Sequence, residues 1–201
     1  MNLNMGAFDP SSRAMGPGLR AVVWVRGCSI NCSGCTTQEF ISSAPTQLTS
    51  LDSLWERIDR ARLEHGLEGV SFSGGEPFEQ AVALAALADR ARRVGLSTLS
   101  WSGYTRAFLQ SPRSPQGSHE LLEQLDVLID GPFVASRAQH TGPLRGSSNQ
   151  VVHLLTRRYQ MADLEGGHAK LEVDADGQAV ISGVINYERL DAVLSLFGVS
   201  R

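Results

Sequence analysis

The chain has 201 residues, enough for one domain with a sizeable hydrophobic core, and 42% of them are apolar, a share typical of soluble globular proteins. The formal net charge of −3 excludes a general electrostatic attraction to nucleic acid or anionic lipid. No apolar run approaches the roughly 20 residues of a membrane span, and the N-terminus has no apolar core of signal-peptide length. We therefore expect a cytoplasmic protein that binds neither nucleic acid nor membrane.

Short apolar strands alternate with helices along most of the chain, after a polar segment at residues 1–15 that is expected to be a partly ordered lead-in. The predicted strands are residues 21–25, 70–73, 96–101 and 126–129. The predicted helices are residues 36–43, a longer one capped by Ser50 or Asp52 and ending near His65, residues 79–93, and residues 120–125. This alternation predicts a parallel sheet with right-handed crossovers.

The C-terminal part has a different pattern. Residues 170–173 and 179–184 predict an antiparallel hairpin with an Asp-Gly turn at residues 174–177. Residues 187–197 predict a closing amphipathic helix. With no domain linker in the sequence, we expect a single domain over residues 1–201, with a core at about 16–150 and an extension at about 151–201.

Three cysteines, Cys28, Cys32 and Cys35, lie within one short stretch, and the chain has no others. A disulfide framework does not fit, because a third thiol is left unpaired and a long chain so poor in cysteine is unlike a stapled secreted domain. Thiolates this close on one loop are typical of a metal site. Two kinds of site remain open: a structural zinc ion with a distant fourth ligand such as His140 or His153, or an iron–sulfur cluster with one iron free of protein ligands.

The tripeptide Gly74-Gly75-Glu76 follows the second predicted strand. Open and barrel-like α/β sheets bind ligands at the C-terminal ends of their strands. Glycines there let a ligand approach the backbone closely, and a carboxylate makes charge-assisted contacts with a cationic group. Taken alone, the tripeptide is more typical of an ordinary strand-to-helix turn.

The pattern Cys-x3-Cys-x2-Cys after a short apolar strand resembles the signature of the radical S-adenosylmethionine enzymes. The resemblance implies an α/β fold with a partial (β/α) barrel of the radical S-adenosylmethionine type, followed here by the C-terminal β-hairpin and closing helix. It also implies that Cys28, Cys32 and Cys35 hold a 4Fe–4S cluster whose fourth iron is chelated by S-adenosylmethionine. Gly74-Gly75-Glu76 matches the family's second motif, which contacts the amino group of that cofactor.

Two further positions follow from the same resemblance. Ser100 and Asp130 lie at the C-terminal ends of the third and fourth predicted strands, one residue before the last position of the third and one residue after the last position of the fourth. The resemblance implies that activating enzymes of this family place groups that contact the cofactor's ribose there. The alternative is equally good, because a carboxylate before Gly-Pro is also an ordinary turn residue.

Three later segments, at residues 102–104, 126–133 and 144–150, resemble the activating protein of anaerobic ribonucleotide reductase and its relatives. The resemblance to this subfamily therefore covers about residues 16–150. In its last segment, Arg145 is predicted to face the carboxylate of the bound cofactor or a partner chain. The alternative is that Arg145 is a surface turn residue.

The resemblance implies that a reductant such as flavodoxin or ferredoxin supplies one electron, that the S–C5′ bond of the cofactor breaks, and that the resulting 5′-deoxyadenosyl radical abstracts a hydrogen atom. The favoured substrate is a glycyl-radical enzyme such as anaerobic ribonucleotide reductase, since the chain is short and has no fourth cysteine for an auxiliary cluster. However, Thr36-Thr37 follows the third cysteine, where activating enzymes have an aromatic residue and Asn. The alternatives are a stand-alone radical enzyme that modifies a small molecule or peptide in a biosynthetic pathway, and a non-catalytic metal-binding module.

Overall fold

The computed structural model describes residues 1–45, 48–139, 141–165, 169–173 and 179–184. Within this part of the chain, a seven-stranded mixed sheet has the strand order β3-β1-β2-β4-β5-β6-β7, and β8 and β9 form a separate two-stranded sheet. The strands are β1 Asn2–Ser12, β2 Arg20–Val25, β3 Leu48–Ser50, β4 Gly69–Gly74, β5 Ser97–Ser102, β6 Val127–Asp130, β7 Val151–Leu154, β8 Lys170–Val173 and β9 Ala179–Ser182.

The four strands predicted from the sequence form the parallel centre of the sheet. β2 pairs with β4, β4 with β5, and β5 with β6, all in parallel. Nearly every residue of these strands is buried, which explains why they appear in the sequence as short apolar runs. β5 and β6 lie one residue later than predicted, so Ser102 and Asp130 are their last residues.

The prediction of a partly ordered N-terminal lead-in is wrong. Residues 2–12 form β1, which pairs antiparallel with β2 on one side and with β3 on the other. Leu3 and Met5 are buried, while Asn4 between them is only partly buried. A strand with one covered face needs only alternate apolar residues, and the surrounding polar residues obscured that alternation. Two short strands, β3 and β7, were also not predicted.

The two longer helices agree closely with the prediction. Helix α1, Leu51–His65, begins after Ser50, whose side chain accepts a hydrogen bond from the Ser53 amide, and ends at Gly66 in the left-handed conformation. Helix α2, Ala81–Arg93, begins two residues later than expected because residues 77–80 form a 3₁₀ turn.

The shorter helical segments agree less well. The predicted helix at residues 36–43 is only a 3₁₀ turn at Gln38–Phe40. Helix α3, Arg106–Leu109, was not predicted. Helix α4, Ser118–Gln124, corresponds to the predicted helix at residues 120–125.

The two faces of the central sheet have different environments, because successive residues of a strand point to opposite sides. One face packs with the helices in the main hydrophobic core, where full burial of each large aliphatic side chain contributes roughly 1.5–3 kcal/mol. A second, smaller cluster lies apart from it and includes residues of β5 and β6 together with later loops. Representative members of the main core are Leu54, Ile58, Phe72, Leu84 and Leu128, and the second cluster contains Leu99, Val127, Ile129, Leu144 and Leu164.

In the C-terminal part, β8 and β9 pair antiparallel, with Lys170 opposite Ser182. The predicted Asp-Gly turn at residues 174–177 and the predicted closing helix at residues 187–197 lie outside the described residues. Among the helices that the structure describes, none is both long and apolar enough to span a bilayer.

Candidate active site

The three cysteines lie on a loop that follows the C-terminal end of β2 and is closed by backbone hydrogen bonds between its own residues. The amide of Cys35 donates to the carbonyl of Cys32 at 3.2 Å, and the amide of Cys28 donates to the carbonyl of Ile41 at 3.0 Å. Asn31 adopts a left-handed conformation with φ of 47°, which turns the chain between the first two cysteines. All three thiols are free and partly buried.

The first cysteine lies in an environment that favours its protonated form. Burial raises the pKa of the Cys28 thiol. Backbone N–H groups of Asn31 and Ile30 donate to its sulfur and oppose this rise, while the negative charges of Glu76 and Glu79 add to it. A metal ion binds the thiolate, so loading this site must displace a proton from Cys28.

Gly74 and Gly75 bring the end of β4 into contact with the cysteine loop. A Cβ atom on Gly75 would lie 2.3 Å from the carbonyl oxygen of Gly27, and one on Gly74 would lie 2.4 Å from that of Val25. The amide of Gly75 donates to Val25, and the amide of Glu76 donates to Gly27, both at 2.8 Å. These glycines therefore allow backbone to pack on backbone, in addition to any role in ligand approach.

The carboxylate of Glu76 is buried at the C-terminal ends of β4 and β5, with only 1% of the residue exposed. It accepts hydrogen bonds from the Phe78 amide at 2.9 Å, the Ser102 hydroxyl at 2.9 Å and the Gly103 amide at 2.7 Å. Burial outweighs these donors and raises the pKa of Glu76 to about 7. A cationic group that entered this site would stabilise the ionised form.

A second carboxylate, Glu79, holds the cysteine loop from the other side. Its Oε1 accepts from the Ser29 amide at 2.8 Å, from the Ser29 hydroxyl at 2.5 Å and from the Tyr104 hydroxyl at 3.2 Å. Ser29 is the residue after Cys28, so this contact fixes the start of the cysteine loop. The sequence analysis missed Glu79; the only signal was its position three residues after Glu76.

Two predicted site residues lie away from the cysteines. Ser100 is fully buried within β5, where its hydroxyl donates to the carbonyl of Trp101 at 3.0 Å. Asp130 borders a separate pocket, accepts from the amide of Arg106, and lies 3.1 Å from Nε2 of His153. Neither residue borders the pocket that the three cysteines share.

Arg145 belongs to a segment that packs on the end of β6. Gln150 organises this segment by accepting from the Gly146 amide at 2.8 Å and donating to the carbonyl of Gly131 at 2.9 Å. The guanidinium of Arg145 donates to the carbonyl of Gln150 at 3.4 Å, and its Nε has no hydrogen-bond partner among the described residues. Gly146 and Gln150 border the cleft beside the cysteines, whereas Arg145 does not.

These parts surround one cleft with a volume of about 570 Å³, within the usual range for small-molecule and cofactor sites. Its polar wall combines the cysteine loop with the ends of β4 and β5, and residues of β1 and of the C-terminal segment border the other sides. The lining residues include Phe8, Trp24, Cys28, Cys32, Cys35, Thr37, Gly74, Gly75, Glu76, Trp101, Ser102, Gly103, Gly146, Gln150, Ser182 and Val184.

Comparison with known proteins identifies the family of this chain. The family model described as a 4Fe-4S single cluster domain matches residues 14–153. The chain belongs to this family. It is also 32% identical, over 162 residues, to the anaerobic ribonucleoside-triphosphate reductase-activating protein of Vibrio cholerae serotype O1, an alignment that covers 77% of this chain and 99% of the relative.

A second curated relative agrees with this assignment. The Escherichia coli K12 protein of the same name is 29% identical over 160 residues, which cover 76% of this chain and 99% of that protein. Among solved structures, QueE from Escherichia coli matches with a TM-score of 0.39 and 19% identity, over 62% of this chain and 67% of that one. The chain is an iron–sulfur oxidoreductase of the radical S-adenosylmethionine type, and its cofactors are a 4Fe–4S cluster and S-adenosylmethionine.

The donor set of the site fits such a cluster. Cys28, Cys32 and Cys35 are partly buried on one loop and border one cleft. Within the described part of the chain, no three His, Cys, Asp or Glu side chains form a group that could hold a metal ion as they stand. A cubane cluster does not require such a group, because each thiolate binds a different iron. His153, one of the two candidate zinc ligands, is hydrogen-bonded to Asp130. The other candidate, His140, lies outside the described residues.

Proposed function

We propose that this protein cleaves S-adenosylmethionine reductively to a 5′-deoxyadenosyl radical and uses the radical to generate a glycyl radical on a partner protein, an anaerobic ribonucleotide reductase. The observation that carries the proposal is the shared cleft, which is bordered both by three free thiols and by the buried residue Glu76. The relatives named as activating proteins of an anaerobic ribonucleoside-triphosphate reductase support the choice of partner.

Each part of the cleft has a role in this proposal. Cys28, Cys32 and Cys35 hold the cluster, which when bound supplies the electron that opens the S–C5′ bond of the cofactor. Glu76 receives the cationic ammonium group of the cofactor, which replaces the lost hydration of a desolvated carboxylate. Gly103 and Ser102 hold the carboxylate in position from the neighbouring strand.

Three of the predicted residues do not border the cleft. Ser100 and Asp130 have no part in the proposal, because both side chains are engaged away from the cleft. Arg145 lies beside the cleft-lining residues Gly146 and Gln150 and has one unpartnered guanidinium nitrogen among the described residues. We therefore retain it as a contact for an anionic group of the partner chain.

The proposal extends to the surroundings of the site. The sheet is taken as a short form of a partial (β/α) barrel within a single domain, with the cleft on its open side for a peptide loop of the partner to enter. A small electron-transfer protein such as flavodoxin or ferredoxin serves as reductant in a cytoplasm that keeps the thiols reduced.

The test is anaerobic reconstitution with iron and sulfide, followed by addition of S-adenosylmethionine, reductant and anaerobic ribonucleotide reductase. We expect 5′-deoxyadenosine and, on the reductase, the electron paramagnetic resonance doublet of a glycyl radical. Cys32→Ala should give neither product. The Ser33→Ala protein, changed at an exposed position of the same loop, is the matched control.

Two results would contradict the proposal in different ways. Formation of 5′-deoxyadenosine with no radical on the reductase would reject the partner and favour the stand-alone enzyme acting on a small molecule or peptide. A colourless protein that binds one zinc ion would reject the radical chemistry altogether.

A further inference from the structure

The residue two positions after the third cysteine connects the two motifs of the cleft. The hydroxyl oxygen of Thr37 lies 3.5 Å from the sulfur of Cys35, a normal separation for a hydrogen bond to sulfur, and 3.0 Å from the carbonyl oxygen of Gly74.

The number of hydrogen-bond donors around Thr37 depends on whether Cys35 is a free thiol or a metal-bound thiolate. A threonine hydroxyl has one proton to donate and can accept through its lone pairs. With Cys35 protonated, the thiol donates to Thr37 and Thr37 donates to Gly74, so every group has a partner. Binding to iron removes the thiol proton. The thiolate of Cys35 and the carbonyl of Gly74 are then both acceptors, and they compete for the single proton of the Thr37 hydroxyl.

We propose that Thr37 is a positioning residue whose hydroxyl donates to the Cys35 thiolate when the cluster is bound and thereby raises the midpoint potential of the cluster. The inference rests on the proposed role of Cys35 as a cluster ligand. Rotation about the Cβ–Oγ bond moves the proton from carbonyl to sulfur without moving any heavy atom. The thiolate is the stronger acceptor because it carries negative charge.

The direction of the effect follows from electrostatics. Reduction of the cluster increases the negative charge on its ligand sulfurs, and a donor to sulfur stabilises that charge more in the reduced state than in the oxidised state. Removing the hydroxyl therefore lowers the midpoint potential, which makes the cluster harder to reduce. The position of the hydroxyl is set by the backbone around it. The cysteine loop and the end of β4 pack against each other through backbone hydrogen bonds, which hold Thr37 beside Gly74 and close to the Cys35 sulfur.

The test compares two pairs of variants that differ only in the hydroxyl: wild type with Thr37→Val, which keeps the branched shape, and Thr37→Ser with Thr37→Ala. Each protein is reconstituted anaerobically, its iron and sulfide are quantified, and the midpoint potential is measured by redox titration followed by electron paramagnetic resonance. Thr36→Val is the matched control, because this exposed neighbour undergoes the same chemical change on the same loop.

We expect both hydroxyl-free proteins to have lower midpoint potentials than their hydroxyl-bearing partners, with Thr36→Val equal to wild type. Equal potentials within both pairs would overturn the inference. So would hydroxyl-free proteins that fold with unchanged thermal stability but bind no cluster, because the hydroxyl would then be needed to build the site and not to tune it. A wild-type protein with no 4Fe–4S spectrum would instead reject the proposed function, and the two failures are therefore distinguishable.

Discussion

The carboxylate of Glu76, which follows β4, accepts a 2.7 Å hydrogen bond from the backbone amide of Gly103, which follows β5. The adjacent hydroxyl of Ser102 donates to the other carboxylate oxygen at 2.9 Å. The ends of two parallel strands are thus joined through one acidic side chain. Because that side chain is almost completely buried, its ionised form is disfavoured in the free protein.

Glu76 should make the cofactor-free protein less stable as the pH rises. Its pKa rises from an ordinary 4.5 to about 7 in the folded state, so the stabilising contribution of the neutral acid is complete below pH 4.5 and is lost as the pH passes through about 7. The shift corresponds to about 3 kcal/mol. In Glu76→Gln this part of the pH dependence should disappear from the free energy of unfolding, measured by urea denaturation between pH 4 and 8.

The control for this measurement is Glu123→Gln, the same change at an exposed position of α4. It should follow the pH dependence of the wild type, since water screens exposed charges. A Glu76→Gln protein with the same slope as the wild type would show that folding does not raise the pKa of this carboxylate. The same variant should bind S-adenosylmethionine more weakly.

Arg20 should be essential for stability although it lies far from the cysteines in the sheet. It is fully buried and donates to the hydroxyls of Ser71 and Ser97, both at 2.7 Å, and to the carbonyl of Val70 at 2.9 Å. Arg20→Met removes these three buried hydrogen bonds and should lower the free energy of unfolding by about 3 kcal/mol or more.

The matched control is Arg13→Met, the same change at an exposed position, which should stay within about 0.5 kcal/mol of the wild type. Chemical denaturation of both proteins measures the difference. If Arg20→Met proved as stable as Arg13→Met, the buried guanidinium would contribute nothing net to folding.

Gly75 should be required for docking of the cysteine loop. The Cβ of Gly75→Ala would lie 2.3 Å from the carbonyl oxygen of Gly27 and 2.8 Å from that of Phe40, and neither backbone atom can move without displacing the loop. We expect the free energy of unfolding to fall by about 1–3 kcal/mol. We also expect the protein to lose most of the iron that the wild type binds after anaerobic reconstitution.

Gly146→Ala is the comparison, because its Cβ would meet only side chains within 4 Å, the ring of Phe133 at 3.3 Å and the side-chain oxygen of Gln150 at 3.5 Å. This protein should retain wild-type iron content. Full iron content in Gly75→Ala would mean that the cysteine loop can bind its cluster in another position.

The ion pair between Lys170 and Asp9 should hold the two-stranded sheet of β8 and β9 against β1. The two charged groups lie 2.8 Å apart, and the Asp9 side chain is only 9% exposed. If the pair contributes about 1 kcal/mol, backbone amides of β8 and β9 should exchange with deuterium roughly fivefold faster in Lys170→Met. Lys170→Arg keeps the charge, so the amides of β8 and β9 should exchange at the wild-type rate in this protein. The amides of β4 serve as an internal control and should exchange at the wild-type rate in both variants. Unchanged exchange in Lys170→Met would show that other contacts hold this sheet.

Local sequence was sufficient for the central strands and for the two motifs that line the cleft. The cysteines at positions 28, 32 and 35 are close in sequence, and Gly74-Gly75-Glu76 follows an apolar run directly, so the chemistry of each motif is contained in a few neighbouring residues. The parallel arrangement of four strands then brings their C-terminal ends to one edge of the sheet. Both motifs therefore had to lie near one another.

What surrounds those motifs depended on tertiary structure. Ser100 was predicted as a site residue at the end of the third strand, but the strand continues to Ser102, and it is the Ser102 hydroxyl that reaches Glu76. Where a strand ends depends on its pairing with neighbouring strands, which lie far away in the sequence. The contact of Thr37 with Gly74 and that of Glu79 with Ser29 join segments 37 and 50 residues apart. The local sequence determines which chemical groups a segment carries. Strand register and loop packing determine which of those groups come into contact, and both depend on interactions between segments that are distant in the sequence.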